Sequence, residues 1–187
     1  MVEWLNQTDI EITIYLNALG QPHLNFFMLF LSKKLVWIPL YLFIIYRFVI
    51  AYPKKWWLVI AACILTIVIT DQTTSTLMKP LFQRLRPCHN HELSSLITTV
   101  GNCGGKYGFA SSHAANTMGL AFFVILKKEL RLSTYILAWA IIVSYSRVYL
   151  GVHFFGDILV GWLVGIAAAI LANWLYQKVS HRIYAYN

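Results

Sequence analysis

Charge is scarce in this sequence. Asp, Glu, Lys and Arg make up 12% of its 187 residues, about half the roughly 25% of a soluble domain. Hydrophobic residues reach 59% and the mean hydropathy is +0.62, which excludes an ordinary water-soluble domain. Acidic side chains are rarest, seven against fifteen basic ones. No carboxylate-rich metal cage is evident, and neither a metal nor a cofactor is expected. The opening Met-Val-Glu-Trp-Leu-Asn has no basic stretch followed by an apolar run, so no cleaved signal peptide is expected. There is no internal repeat or low-complexity segment. The formal charge of +8 does not point to nucleic acid, because Lys and Arg in a polytopic membrane protein set topology and meet anionic lipid.

What is present is a series of apolar runs approaching membrane length. Residues 1–20 read as an interfacial helix, with a capping-box pattern at Thr8 and Glu11 and an apolar side from Trp4, Leu5, Ile10, Ile14, Tyr15 and Leu19. Packing on the protein's own loops is the alternative. Residues 24–31 are apolar, but eight residues rise only about 12 Å, too little to span; they read as an interfacial piece or an extension of the next helix. Five spans follow, at about 35–51, 56–78, 111–126, 132–149 and 154–176. Pro39 is a candidate kink, and Gly161-x-x-x-Gly165 with Ala168, Ala169 and Ala172 is a small-residue packing seam, within or between chains. The expected fold is an all-α, polytopic membrane helical bundle in a single domain, 1–187. Its interfacial segment is 1–34, its bundle 35–177, and its long polar loop 79–110.

Functional chemistry gathers at one face. Ser144-Tyr-Ser-Arg-Val-Tyr-Leu-Gly-Val-His-Phe-Phe-Gly-Asp157 places Arg147, His153 and Asp157 between two apolar segments, where such groups are costly and mark function. His153 and Asp157 are four apart, so the carboxylate can fix the imidazole's tautomer. Where the second span ends, Lys79-Pro-Leu-Phe-Gln-Arg-Leu-Arg-Pro87 offers a compact ammonium at Lys79 and a planar fork at Arg86, both suited to phosphate. Asp71 shares a rough helix face with Lys79 and is a candidate to orient it. Phe109-Ala-Ser-Ser-His113 opens the third span, with Ser111 a natural N-cap whose first turn offers N–H groups to an anion. The fifth span's positive end is expected to add to the same anion site.

Topology follows only in part. One side holds Lys54, Lys55, Lys127, Lys128, Arg131, Lys178 and Arg182, the loop side Lys33, Lys34, Lys79, Arg84, Arg86, Lys106 and Arg147, an even count that decides nothing. If Lys79, Arg86 and Arg147 are committed to a site, the balance turns that site away from the cytoplasm. Cys88 and Cys103 both lie in the polar loop. A disulfide there closes about fifteen residues, worth about 3 kcal/mol, and needs an oxidising compartment. Zinc held by Cys88, His89, His91 and Cys103, or free thiols, stay open at this point, although the spacing matches no standard zinc site.

Lys79-x6-Arg86-Pro87, Ser111-x-His113 and Ser146-Arg147-x5-His153-x3-Asp157 together resemble the signature of the type 2 phosphatidic acid phosphatase superfamily, in order and spacing, over the last four spans. The family's Pro-Ser-Gly-His stands here as Ala110-Ser111-Ser112-His113, so a side chain sits at Ser112 where the family has none.

The resemblance implies a lipid phosphate phosphatase. His153 would be the nucleophile that forms a phosphohistidine, Asp157 its orienter, and His113 the proton donor to the leaving oxygen. Lys79, Arg86, Ser111, Ser112 and Arg147 would bind the phosphoryl oxygens. Asp71 and Ser146 are candidates for supporting contacts, and Arg84 and Lys106 for headgroup selection. The partners expected are a membrane lipid phosphate, the bilayer and, if the glycine seam pairs between chains, an oligomer. The lipid's tail would reach the site between spans. A polyprenyl diphosphate, phosphatidylglycerophosphate, phosphatidate and a lipid A phosphate are all open, as are phosphotransfer to another lipid and lipid-phosphate binding without catalysis. The expected location is a bacterial inner membrane, site outward.

Overall fold

The computed structural model describes residues 2–93, 95–128 and 130–184, without the side chains of Val2, Leu130 and Arg131, the last of which entered the topology count. Regular structure in these residues is helical apart from one isolated antiparallel bridge between Leu85 and Tyr107. The helices are α1 (Val2–Ala18), α2 (Asn25–Ser32), α3 (Ile38–Ala51), α4 (Trp56–Phe82), α5 (Ser112–Leu126), α6 (Leu130–Tyr149) and α7 (Phe155–Tyr184).

Among the described residues, three segments are long and apolar enough to cross a membrane: Lys34–Ala51, which is α3 with a short 3₁₀ lead-in, α4 and α7. The five expected spans are therefore not all independent by length and composition. α5 is apolar but has 15 residues, about 22 Å of rise, short of a hydrocarbon core of roughly 30 Å. α6 is long enough but carries Ser133, Thr134, Ser144, Ser146 and Arg147. α5 packs most extensively on α7 and also lies against α4 and α6, so it meets protein where a free-standing span would meet lipid.

Its seam explains the contact. A Cβ on Gly165 would lie 2.5 Å from the Ala115 carbonyl oxygen and 2.7 Å from the Gly119 amide, and one on Gly161 would lie 2.8 Å from the Ser111 carbonyl oxygen. The Gly161-x-x-x-Gly165 pattern thus serves α5–α7 packing inside this chain. Between α3, α4, α5 and α6 the core holds Ile44, Phe48, Val59, Phe123, Val124 and Ile136, with the Phe48 and Phe123 rings edge to face at 6.1 Å. Phe26, Leu35, Leu42, Ile64 and Leu163 point outward instead, the distribution expected of a bundle solvated by hydrocarbon.

Several local expectations change. α1 begins before Thr8, whose hydroxyl donates back to the Trp4 carbonyl at 2.9 Å; Thr8 is an interior residue of the helix, not its cap. Residues 24–31 belong to a helix of their own, separated from α3 by extended Lys33. Pro39 sits in the first turn of α3, where its missing N–H costs nothing, so it starts the helix rather than kinking it.

α1 is polar on its buried side. Thr13 and Asn17 are buried, while Trp4, Leu5, Tyr15 and Leu19 are exposed. Asn17 donates to the Thr98, Val148 and Tyr149 carbonyls and accepts the Thr98 amide. It ties α1 to both the polar loop and the end of α6.

Candidate active site

The turn after α6 delivers His153, and the first turn of α7 delivers Asp157. Both are almost wholly buried, at 2% and 0% exposure. His153 Nδ1 lies 3.1 Å from Asp157 Oδ2, which also accepts the Phe154 amide at 3.1 Å. On the ring's other side, Arg86 Nη1 is 3.1 Å from His153 Nε2. A guanidinium only donates, so Nε2 is the unprotonated nitrogen and Nδ1 carries the proton toward Asp157. Burial, then the cations Arg86, Arg147 and Lys79, hold the His153 pKa well below the usual imidazole range. The imidazole is neutral, with its free lone pair turned to the cations.

Arg86 is fixed from three directions. Its Nε donates to the Gly105 carbonyl at 2.6 Å, and Nη1 also donates to the Val152 carbonyl at 3.0 Å. The Leu85–Tyr107 bridge, with Arg86 N to Lys106 O at 3.2 Å and Gly108 N to Arg84 O at 2.9 Å, pins the returning loop beside it. Cys88 and Cys103 are joined by a disulfide with Cα atoms 6.1 Å apart, which occupies both thiols and removes zinc ligation by this pair. His89 Nε2 meets the Gly104 carbonyl at 3.2 Å.

α4 brings in Lys79 through a π-helical stretch, Gln72–Met78, a winding that recurs at functional sites. Lys79 Nζ donates to Ser112 Oγ at 2.8 Å, and the same oxygen lies 2.9 Å from both Thr74 Oγ1 and Ser75 Oγ. The serine that replaces the family's glycine is therefore a hydrogen-bonding node for Lys79. Asp71 does not orient Lys79 by a hydrogen bond; its Oδ1 faces Asn116 Nδ2 at 3.5 Å. Ser111 caps α5, accepting the Ala114 amide at 3.4 Å, and is fully buried. Its hydroxyl serves the helix end.

His113 and Arg147 meet at Ser32. His113 Nε2 donates to the Ser32 carbonyl at 3.1 Å, and Arg147 Nη1 donates to the Ser32 hydroxyl. Arg147 Nε is buried with no partner among the described residues, a donor that an anion at this point would satisfy. Ser146 turns away, donating to the Val143 carbonyl at 2.6 Å on its own helix; back-bonding of this kind is common for a helical serine.

Arg84 faces inward rather than toward an open headgroup site: Nη1 donates to Asp157 Oδ1 at 3.0 Å and Nη2 to Asp9 Oδ2 at 2.6 Å. Lys106 is exposed above the Tyr107 ring. The start of α7 is not an open anion site either, because Thr13 Oγ1 accepts the Phe155 amide at 3.0 Å and Asp9 Oδ1 the Gly156 amide at 2.6 Å. Asp9, Thr13, Ser32 and Asn17 were missed as site residues; the one signal available was that Asp9, Thr13 and Asn17 recur every four residues along α1 and so share a face.

A cavity of about 580 Å³ runs from this cluster between α3, α4, α5 and α6. Its polar end has His113, Asn116, Asp71 and Lys34; its far end has Ile44, Phe48, Ile60 and Leu120.

Residues 55–181 match the model of the PAP2 superfamily. The lipid A 4'-phosphatase of Bacteroides thetaiotaomicron is 35% identical over 189 residues, covering 99% of this chain and 82% of that protein. The lipid A 4'-phosphatase of Porphyromonas gingivalis is 32% identical over 180 residues, covering 94% and 75%. The crystal structure of a transmembrane PAP2 type phosphatidylglycerolphosphate phosphatase from Bacillus subtilis superposes with a TM-score of 0.70 at 22% identity, covering 94% of this chain and 87% of that one, a likeness of fold. With the apolar helices and a match over most of its length, this integral membrane protein belongs to the PAP2 superfamily.

Proposed function

We propose that this protein hydrolyses a phosphomonoester on a lipid A-type glycolipid, through a phosphohistidine and without a metal, at the outer face of a bacterial inner membrane. The class, a lipid phosphatase, follows from the family and from two relatives named for that activity, each matched over most of its length. The finer reading rests on one observation above all: His153 Nε2 is unprotonated and faces the Arg86 guanidinium, while Asp157 holds Nδ1.

In this mechanism His153 Nε2 attacks phosphorus and the bond from phosphorus to the lipid oxygen breaks. His113, protonated to the imidazolium as the dianionic phosphate binds, exchanges the Ser32 carbonyl for that oxygen and gives it a proton, becoming the neutral imidazole. Water, deprotonated by His113, then attacks the phosphohistidine, releasing phosphate and regenerating the imidazole. Arg86, Arg147 and Lys79 neutralise the equatorial oxygens of the pentacoordinate state. The cavity between α3 and α6 takes one hydrocarbon chain of the substrate, supported by its apolar far end and its polar mouth at His113. The outward orientation is supported by the Cys88–Cys103 disulfide on the site's face.

The test is phosphate release by the purified protein in detergent from a panel of lipid A phosphate, phosphatidate, phosphatidylglycerophosphate and polyprenyl diphosphate. Lipid A phosphate is expected to be the preferred substrate, H153A to release none, and EDTA to change nothing. Full activity in H153A, or loss with EDTA that a divalent ion restores, overturns the mechanism; preference for another lipid overturns the substrate.

A further inference from the structure

We propose that α1 is part of the catalytic apparatus, with Asp9 and Arg84 acting as positioning residues that lock the carboxylate of Asp157 behind the nucleophile. The inference rests on the phosphohistidine reading above and concerns a helix that lies outside the family-matched residues 55–181.

The geometry is a closed ring. Asp157 uses Oδ2 for His153 and the Phe154 amide, which leaves Oδ1 for Arg84 Nη1 at 3.0 Å. Arg84 Nη2 then reaches Asp9 Oδ2 at 2.6 Å, and Asp9 Oδ1 accepts the amide of Gly156, the residue before Asp157, at 2.6 Å. One aspartate therefore grips both the guanidinium that holds the Asp157 carboxylate and the backbone that carries it. Residue 156 must be glycine for this approach, since a Cβ there would lie 2.7 Å from Asp9 Oδ2. Thr13, one turn along α1, takes the neighbouring Phe155 amide, so the start of α7 is capped by α1 rather than by its own preceding residues.

The consequence is angular. A carboxylate held through one oxygen can turn about its Cβ–Cγ bond and let the imidazole tilt. Held through both oxygens, with the Arg84 guanidinium also stacked 4.0 Å above the Phe154 ring, it fixes the plane in which His153 presents Nε2. Arg84 touches neither the nucleophilic nitrogen nor the cavity, so its loss acts on turnover rather than on lipid binding.

The experiment compares wild type, D9N, R84Q, R84K and the D9N/R84Q double variant, each purified and checked for a cooperative melt, by kcat and KM for phosphate release from the preferred lipid. Wild-type release that H153A abolishes and EDTA leaves unchanged tests the underlying reading separately; failure there sinks that reading, whereas failure confined to the Arg84 and Asp9 variants sinks this one. R84Q is expected to lose about tenfold or more in kcat with KM within about twofold. D9N, which keeps an acceptor for Gly156, is expected to lose several-fold, and less than that again in the R84Q background. R84K is expected to fall between wild type and R84Q, because one ammonium cannot bridge two carboxylates as a fork does. An R84Q kcat within about twofold of wild type, an effect confined to KM, or losses that simply multiply in the double variant overturns the proposal. Should R84Q not fold, D9N and R84K decide by the same criteria.

Discussion

Removing the hydroxyl of Ser112 tests whether Lys79 is held in place by the residue that departs from the family pattern. In the structure Lys79 Nζ has Ser112 Oγ at 2.8 Å, and that oxygen is buried among Thr74 and Ser75. A hydrogen bond to a charged group contributes about 1.5–3 kcal/mol, and each 1.36 kcal/mol is tenfold in rate. If the whole of that energy serves to hold Lys79 toward the phosphoryl group, S112A lowers kcat/KM by roughly 10- to 150-fold. S112T, which keeps an oxygen, should retain most of the activity if its methyl is accommodated. Thr74 loses less than Lys79 does, because its hydroxyl also has the Thr70 carbonyl at 2.8 Å. The assay is initial-rate phosphate release across a range of lipid concentrations, on protein that melts like wild type. An S112A rate within about twofold of wild type refutes the reasoning. So does an S112G variant as fast as wild type, since glycine removes the same anchor.

Two further predictions concern stability. G165A pushes a methyl against the Ala115 and Gly119 backbone, and such overpacking costs about 1–3 kcal/mol. It should lower the melting midpoint by several degrees, whereas G105A, with no atom within 4 Å of its Cβ, should leave it unchanged; equal midpoints would show that the α5–α7 seam is slack. For His153, the depressed pKa means that the unfolded chain takes up a proton that the folded site refuses. Its stabilising contribution is complete above the unfolded value of about 6.5 and falls away as pH drops below it. Wild type should therefore lose more thermal stability between about pH 6.5 and 5 than H153Q, and parallel slopes would contradict the buried neutral imidazole.

Much of the site was legible because it is written in local spacing. Lys79 with Arg86, Ser111 with His113, and Arg147 with His153 and Asp157 are each separated by no more than ten residues, short enough for one helix end and the turn beside it to keep them together. The small-residue seam was equally plain as a pattern. What spacing cannot supply is the partner across the bundle. Arg84 read as a candidate for headgroup selection because the carboxylates it bridges lie 75 residues before it and 73 after it. Gly161 and Gly165 left their partner open, since a close-approach surface reads the same whether it meets the same chain or another. Thr8, Ser111 and Ser146 share a different difficulty: a short hydroxyl serves as a cap, bonds back to its own helix or binds a ligand with the same sequence signature, and only the rotamer decides. The five expected spans each coincide with a helix, but apolar length alone could not show that α5 is largely covered by protein.

The grip of α1 on the start of α7 also sets the order in which this enzyme comes into being. Asp9 and the Gly156 amide are 147 residues apart, and at about 5–20 residues per second of synthesis roughly 7–30 s separate the appearance of the two. Throughout that interval the polar stripe of α1 has none of its α7 partners, and the carboxylate behind the nucleophile does not yet exist. Activity can therefore switch on only after α7 has been made and has met α1, so that a chain stalled before α7 is inert.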